Sequence, residues 1–169
     1  MEQVIKCKDL PYSRYEIENL KAAAEEFKKS NAAATSAKAV ETAYRKYLAE
    51  EEKYGTFASL AYTRYTLNTK DEFYIGEQNY YDEIGPVAAS ISTEIGNLLL
   101  DSPYRAELEP MFPETFFKNL ECARKAHNDK TVASEQEENA IVTEYSMLMS
   151  TIEVDWRGEK KPISFVRGF

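Results

Sequence analysis

Residues 37–67 read AKAVETAYRKYLAEEEKYGTFASLAYTRYTL, and the spacing of their apolar positions decides the fold. Val40, Tyr44, Tyr47, Tyr54, Ala58, Ala61 and Tyr65 advance in alternating steps of four and three, with Glu51 alone interrupting the stripe. That period puts them on one face of a single long helix, which must bury the face against neighbouring helices. Ser36 stands at the N-cap position, and Asn68-Thr69 closes the helix. Gly55 weakens it locally, since Gly costs about 1 kcal/mol relative to Ala. A 31-residue helix is about 46 Å long at 1.5 Å per residue. A compact globule of this chain length has a radius of gyration near 15–16 Å. The helix therefore overhangs any sphere the chain can make, and belongs to an elongated hairpin or to a wall of something larger.

The neighbouring segments carry the same period. Thr69 with Glu72 has capping-box form, opening a helix from Lys70 to about Leu100 whose stripe is Phe73, Tyr80, Ile84, Val87, Ile91, Ile95 and Leu98. Pro86 falls in its middle and should kink or split it, because proline removes a backbone donor. Upstream, Ser13-Arg-Tyr-Glu16 is a second capping-box pattern. It predicts a helix starting after Ser13, with Ile17, Leu20, Ala24 and Phe27 on one face, followed by a loop through Ser36. Downstream, shorter helices are expected from Pro103 to Leu108, from Pro113 to about His127, and from Glu135 to Thr151. The last should turn Ile141, Tyr145, Leu148 and Ile152 inward. Ile152–Trp156 switches to an alternating pattern and reads as a strand. Arg157–Lys160 is turn-like, and Pro162–Val166 could return as a second strand or an extended arm.

The fold expected is all-α: two long antiparallel helices packed by three or four shorter ones, with a short β hairpin or arm at the C-terminal end. Residues 1–151 form the helical domain, and 152–169 an apolar element that ends without a partner. An isolated two-stranded hairpin is marginal in water, so the chain is expected to be the N-terminal piece of a longer protein.

Composition excludes several function classes. The 169 residues are 43% hydrophobic and 30% charged, enough for a real core. Lys plus Arg number 21 against 29 Asp plus Glu, a net charge of -8. That balance argues against binding nucleic acid, whose affinity comes largely from cations on phosphates, and against docking on anionic membranes. No apolar run approaches the roughly 20 residues a membrane span needs. The start shows no signal-peptide core, and Cys7 and Cys122 have no pairing pattern. A cytoplasmic protein with reduced thiols is expected.

Chemistry-bearing residues are few. His127 is the only histidine, so neither a His-Glu-x-x-His zinc helix nor a di-iron bundle can be built. In Arg-Lys-Ala-His-Asn-Asp-Lys it suits a polar helix C-terminus, where an imidazole sits favourably beside the dipole. Cys122 and His127 are five apart, about 140° around one helix, which ranks a cryptic enzyme using that pair last. The acidic runs Glu50–Glu52, Asp71-Glu72, Asp82-Glu83 and Glu135–Glu138 read as first-turn charges and solvated helix faces. Of 12 tyrosines, eight lie between Tyr44 and Tyr81. They fit either a helix seam or a channel lining that hydrogen-bonds a peptide.

The stretch Tyr62-Thr-Arg-Tyr-Thr-Leu-Asn-Thr-Lys-Asp-Glu-Phe-Tyr74, with Glu77-Gln-Asn-Tyr-Tyr-Asp-Glu83 and Pro86, resembles the N-terminal region of oligoendopeptidase F-type zinc metallopeptidases, relatives of thimet oligopeptidase. Pro11-Tyr-Ser-Arg-Tyr15 is similar to that family's opening. Gln136–Asn139 through Thr143–Tyr145, and then Glu153–Glu159, is similar to the stretch leading out of its helical region. The resemblance implies a wall of a deep channel that admits short peptides, a missing C-terminal catalytic domain as partner, and oligopeptides as the parent's substrates. It also implies zinc in the full-length parent, held by residues that this chain lacks. No catalytic or metal role therefore passes to any position here. By position, Tyr62, Arg64, Tyr65, Asn68 and Glu72 belong to the junction of the two long helices. The leading expectation is an inactive fragment with exposed apolar surface, prone to self-association. The alternative is a complete, stand-alone helical module that binds peptides or proteins without catalysis.

Overall fold

The computed structural model describes residues 9–126 and 129–166. Cys7, His127 and the tail Arg167–Phe169 lie outside the described residues. Helix α1 spans Ile17–Ala32, α2 Ala37–Leu67 and α3 Glu72–Leu100. A one-turn α4 (Arg105–Leu108) runs into a 3-10 turn, α5 covers Phe116–Ala126, and a further 3-10 turn leads into α6 (Val132–Thr151). Strands β1 (Glu153–Trp156) and β2 (Glu159–Pro162) and the one-turn α7 (Ile163–Val166) follow.

The two long helices are antiparallel, as their paired side chains show. The Tyr47 hydroxyl meets Ser92 Oγ at 3.2 Å, the Tyr54 ring lies 6.1 Å from that of Tyr81, and Arg64 donates to the Tyr74 hydroxyl at 2.6 Å. Partners on α3 descend as α2 ascends. Helix α1 lies against both, antiparallel to α2 (Phe27 beside Tyr44) and parallel to α3 (Lys28 paired with Glu94). Leu20, Phe27, Val40, Tyr47, Ile95, Leu99 and Leu108 are fully buried where these helices and α4 meet. An aromatic group of Tyr44, Phe112, Phe116 and Phe117 extends this core, with Phe112 and Phe116 stacked at 4.4 Å. Helix α5 approaches α3 so closely that a Cβ at Gly96 would lie 3.0 Å from Leu120 Cδ2. Among the described residues, no helix is long and apolar enough to cross a membrane.

The mostly helical fold expected from the sequence is the one observed, and α2 has the expected bounds, with the Ser36 hydroxyl accepting from the Ala39 N–H. Four details differ. First, α1 starts at Ile17, and neither Ser13 nor Glu16 caps it. The Ile17 N–H is instead taken by the Tyr80 hydroxyl of α3, at 3.3 Å, so residues 12–16 are held extended. Second, Asp71 rather than Thr69 caps α3, accepting from the N–H groups of Phe73 and Tyr74. Phe73 is consequently exposed instead of leading the buried stripe. Third, the return strand is Glu159–Pro162, paired with β1 from Glu153↔Pro162 to Trp156↔Glu159, and 163–166 form a helical turn. Arg157 (φ 53) and Gly158 (φ 85) are both left-handed, which the two-residue turn of such a hairpin requires. Fourth, α6 faces the opposite way from the expectation: Ile141, Tyr145 and Leu148 are exposed, and Thr143 is buried.

Pro86 explains the last difference. Helix α3 runs through it unbroken, but proline has no N–H to offer the carbonyl of Asp82 four residues back. A backbone acceptor left without a partner away from water is costly. Helix α6 supplies donors: Asn139 Nδ2 reaches the Asp82 carbonyl at 3.3 Å and Gln136 Nε2 the Glu83 carbonyl at 2.6 Å. The Thr143 hydroxyl adds a bond to the Asp82 carboxylate. Gln136, Asn139 and Thr143 recur at i, i+3 and i+7, one face of a helix. Hydrogen-bond demand on α3 thus orients α6, and the apolar stripe is left outside. Asn139→Ala should destabilise the chain by about 1 kcal/mol in urea unfolding. In a Pro86→Ala background, where residue 86 can satisfy the carbonyl itself, that cost should largely vanish. An equal cost in both backgrounds would rule the linkage out.

Candidate functional site

The open ends of α2 and α3 and the arm before α1 converge on one polar and aromatic cluster. Its centre is Glu77, 2% exposed on α3. Arg14 Nε donates to Glu77 Oε1 at 3.0 Å, Arg14 Nη2 adds a second bond to the same oxygen, and the Tyr12 hydroxyl donates to Oε2. The Arg14 guanidinium lies 4.6 Å over the Tyr80 ring. Burial pushes the Glu77 carboxyl up, but the bonds from Arg14 and Tyr12 outweigh it and hold the group below the ordinary carboxylate range.

Two tyrosines of α3 complete the attachment of the arm. The Tyr81 hydroxyl accepts from the Tyr15 N–H at 3.2 Å, and the Tyr80 hydroxyl donates to the Tyr15 carbonyl at 2.9 Å. The Tyr15 hydroxyl in turn donates to Glu50 of α2 at 3.3 Å. Tyr12 packs edge-on to Phe57, Phe73 and Tyr74. Burial raises the phenol pKa of Tyr12 and Tyr15 and pushes that of Tyr54 up to about 12, so all three hydroxyls stay protonated.

Of the junction positions expected from the sequence, Arg64 enters this cluster. It bonds the Tyr74 hydroxyl and the Leu10 carbonyl, with its guanidinium 5.6 Å from the Tyr12 ring and 5.5 Å from that of Tyr74. Tyr65 is buried, and its hydroxyl has no hydrogen-bond partner among the described residues. Asn68 ends α2, its N–H on the Arg64 carbonyl and its Oδ1 accepting from Lys70. Tyr62 and Glu72 project to solvent. Tyr12, Arg14, Glu77, Tyr80 and Tyr81 were not singled out from the sequence as site residues. One signal could have found them: Glu77 lies in phase with the buried line Tyr81, Ile84 and Ala88, a charge where the helix face is apolar.

The tyrosines between 44 and 81 serve the seam far more than an open surface. Tyr44, Tyr47, Tyr65 and Tyr81 are buried, Tyr54, Tyr74 and Tyr80 are half-buried, and Tyr62 is exposed. The acidic runs divide by structural role. Glu51 accepts from Tyr47 within α2 and from Ser92 across the seam, Asp71 caps α3, and Asp82 receives Gln78 and Thr143. Among the described residues, no group of three or more His, Cys, Asp or Glu side chains converges. Nothing in that donor set fits a zinc ion. The cluster can neutralise a buried carboxylate and fix a helix junction.

A depressed carboxyl pKa stabilises the folded state above the unfolded value, near 4.3, and that contribution fades as pH falls through the folded value. Docking of the arm should therefore weaken in acid below about pH 4. Glu77→Gln should remove this pH dependence and cost about 1–3 kcal/mol at neutral pH. Hydrogen exchange at the Tyr15 and Ile17 amides checks it: both should lose protection in Glu77→Gln, and unchanged protection would refute the role of Glu77.

The same architecture recurs in solved peptidase structures. PZ peptidase A bound to an inhibitor superposes with a TM-score of 0.91 at 28% identity, over 97% of this chain and 29% of its own. A protein from Bacillus anthracis strain Ames described as an oligoendopeptidase F gives 0.90 at 30% identity, over 96% and 30%. Another described as an oligoendopeptidase F gives 0.91 at 30%, over 98% and 29%. No curated protein sequence matches significantly. The chain thus spans less than a third of the length of these structures. Residues 7–127 match the Peptidase M3 N-terminal domain, and the chain belongs to that family.

Proposed function

We propose that this chain is the N-terminal part of a zinc-dependent oligopeptidase resembling oligoendopeptidase F, where it forms one wall of the peptide channel and has no hydrolytic activity alone. One observation carries the reading: near-complete superposition of this chain, at 28–30% identity, on less than a third of each peptidase structure. Zinc and the groups that activate water belong, in this reading, to the remainder of the parent polypeptide. Residues 1–151 supply the helical wall, and 152–169 lead toward the catalytic domain. Arg64, Tyr65 and Asn68 are engaged in packing and capping, which leaves Tyr62 and Glu72 as the junction positions able to meet an oligopeptide. The parent works in the cytoplasm, in keeping with the exposed, unpaired thiol of Cys122.

Hydrolysis of a quenched-fluorescence oligopeptide tests the proposal. The 1–169 chain should be inactive with or without added zinc. The parent read from the continuous coding frame should be active, lose activity to a chelator and recover it with zinc. Chelator-resistant hydrolysis by the 1–169 chain, or a frame that stops after Phe169, would refute the proposal.

A further inference from the structure

Helix α6 presents an apolar stripe on the side away from its neighbour. Ile141, Tyr145 and Leu148 recur at i, i+4 and i+7 and are 59%, 60% and 63% exposed. At 100° per residue they lie about 140–200° around the helix from Thr143, which faces α3. Val142, 55% exposed, widens the patch. Three large apolar side chains in a row on the outside of a helix are a docking surface in the making, unlike single exposed residues scattered over a fold.

Charge narrows the partner. Helix α6 contains no Lys or Arg. Exposed Glu137 and Glu144 flank the stripe on one side and exposed Glu138 on the other. The complementary surface is apolar at its centre and rimmed by basic side chains. Length narrows it further, because the matched peptidases devote about 70% of their chains to something other than this fold, the complement of the 29–30% covered.

We propose that the outer face of α6, centred on Ile141, Tyr145 and Leu148, seats the remainder of the parent polypeptide through an apolar surface rimmed by Lys and Arg. The proposal rests on the reading of this chain as part of a longer peptidase. The two orientations of α6 then have separate causes: Pro86 and the Asp82 carbonyl dictate which side meets α3, and the opposite side is kept apolar for a second contact. Tyr145 is the natural anchor, since an aromatic ring with a polar tip suits the centre of an interface.

Photo-cross-linking in the full-length parent tests this, with Tyr145 replaced by p-benzoylphenylalanine and the products mapped by mass spectrometry. The expected product joins residue 145 to a segment beyond residue 169 of the same molecule, with Lys or Arg beside the attachment point. Cross-links to a second copy, or none at all, would overturn the proposal. A second variant gives an independent readout. Leu148→Asp should lower the thermal midpoint of the parent by several degrees, because it places a carboxylate in an apolar contact; an unchanged midpoint would also overturn it. Failure of the peptidase reading looks different: the coding frame stops after Phe169, or the unsubstituted parent shows no chelator-sensitive hydrolysis.

Discussion

Glu77 is a carboxylate 2% exposed on a helix face otherwise made of Tyr81, Ile84 and Ala88. A charge withdrawn from water must be matched by donors or it destabilises the fold by several kcal/mol. The donors come from 65 and 63 residues away, Tyr12 and Arg14 on the arm that precedes α1. With those two side chains committed, α1 starts at Ile17 rather than directly after Ser13 as its local pattern favours. The extended arm exposes its own N–H and C=O groups, and Tyr80 and Tyr81 answer them. The entry of α1, the placement of the arm against α2 and the choice of tyrosines at this register of α3 all follow from neutralising one carboxylate.

This explains which parts of the fold were legible in the sequence. Helix α2 could be read because its face is set by period alone: Val40, Tyr44 and Tyr47 are buried by their spacing, and Ser36 caps locally. The start of α1 could not, because Ser13 and Glu16 offer a sound local cap that loses to the long-range demand of Glu77. At the start of α3 two local caps competed, and Asp71, two residues closer to Phe73 and Tyr74, prevailed over Thr69. In the hairpin, the left-handed pair Arg157-Gly158 fixes a two-residue turn and hence strands that end at Pro162, four residues short of the expected end. The candidate cluster was half visible. Tyr12, Arg14, Arg64, Tyr74 and Glu77 all stood in the quoted patterns, but of these only Arg64 was placed at the helix junction, and the further signal of Glu77 was a charge in phase with the buried face of α3.

Helix α6 shows the same competition with the opposite sign. Its apolar positions form a helical stripe, and a stripe ordinarily turns inward. Here the neighbouring surface contains the Asp82 carbonyl, stripped of its usual donor by Pro86, so amide and hydroxyl side chains on the other face make the contact. Satisfying the half-buried Asp82 carbonyl outranked burying Ile141, Tyr145 and Leu148 because an unmet acceptor loses its bond outright, whereas apolar area can be buried against something else.

That ordering bears on what kind of object the chain is. Helices α1, α2 and α3 bury a continuous core and hold their own junction. Helix α6 is joined to that body by directional hydrogen bonds at one proline, and its greasier side waits on the far side. A domain that meant to end at α6 would gain by reversing it, since three large side chains would leave water at about 25 cal/mol per Å². Polar bonds fix the angle of α6 on α3, so that, under the docking proposed for it, its outer face is aimed before its partner surface arrives. A preset angle removes the entropy of searching for one, which favours docking of the kind proposed for this face.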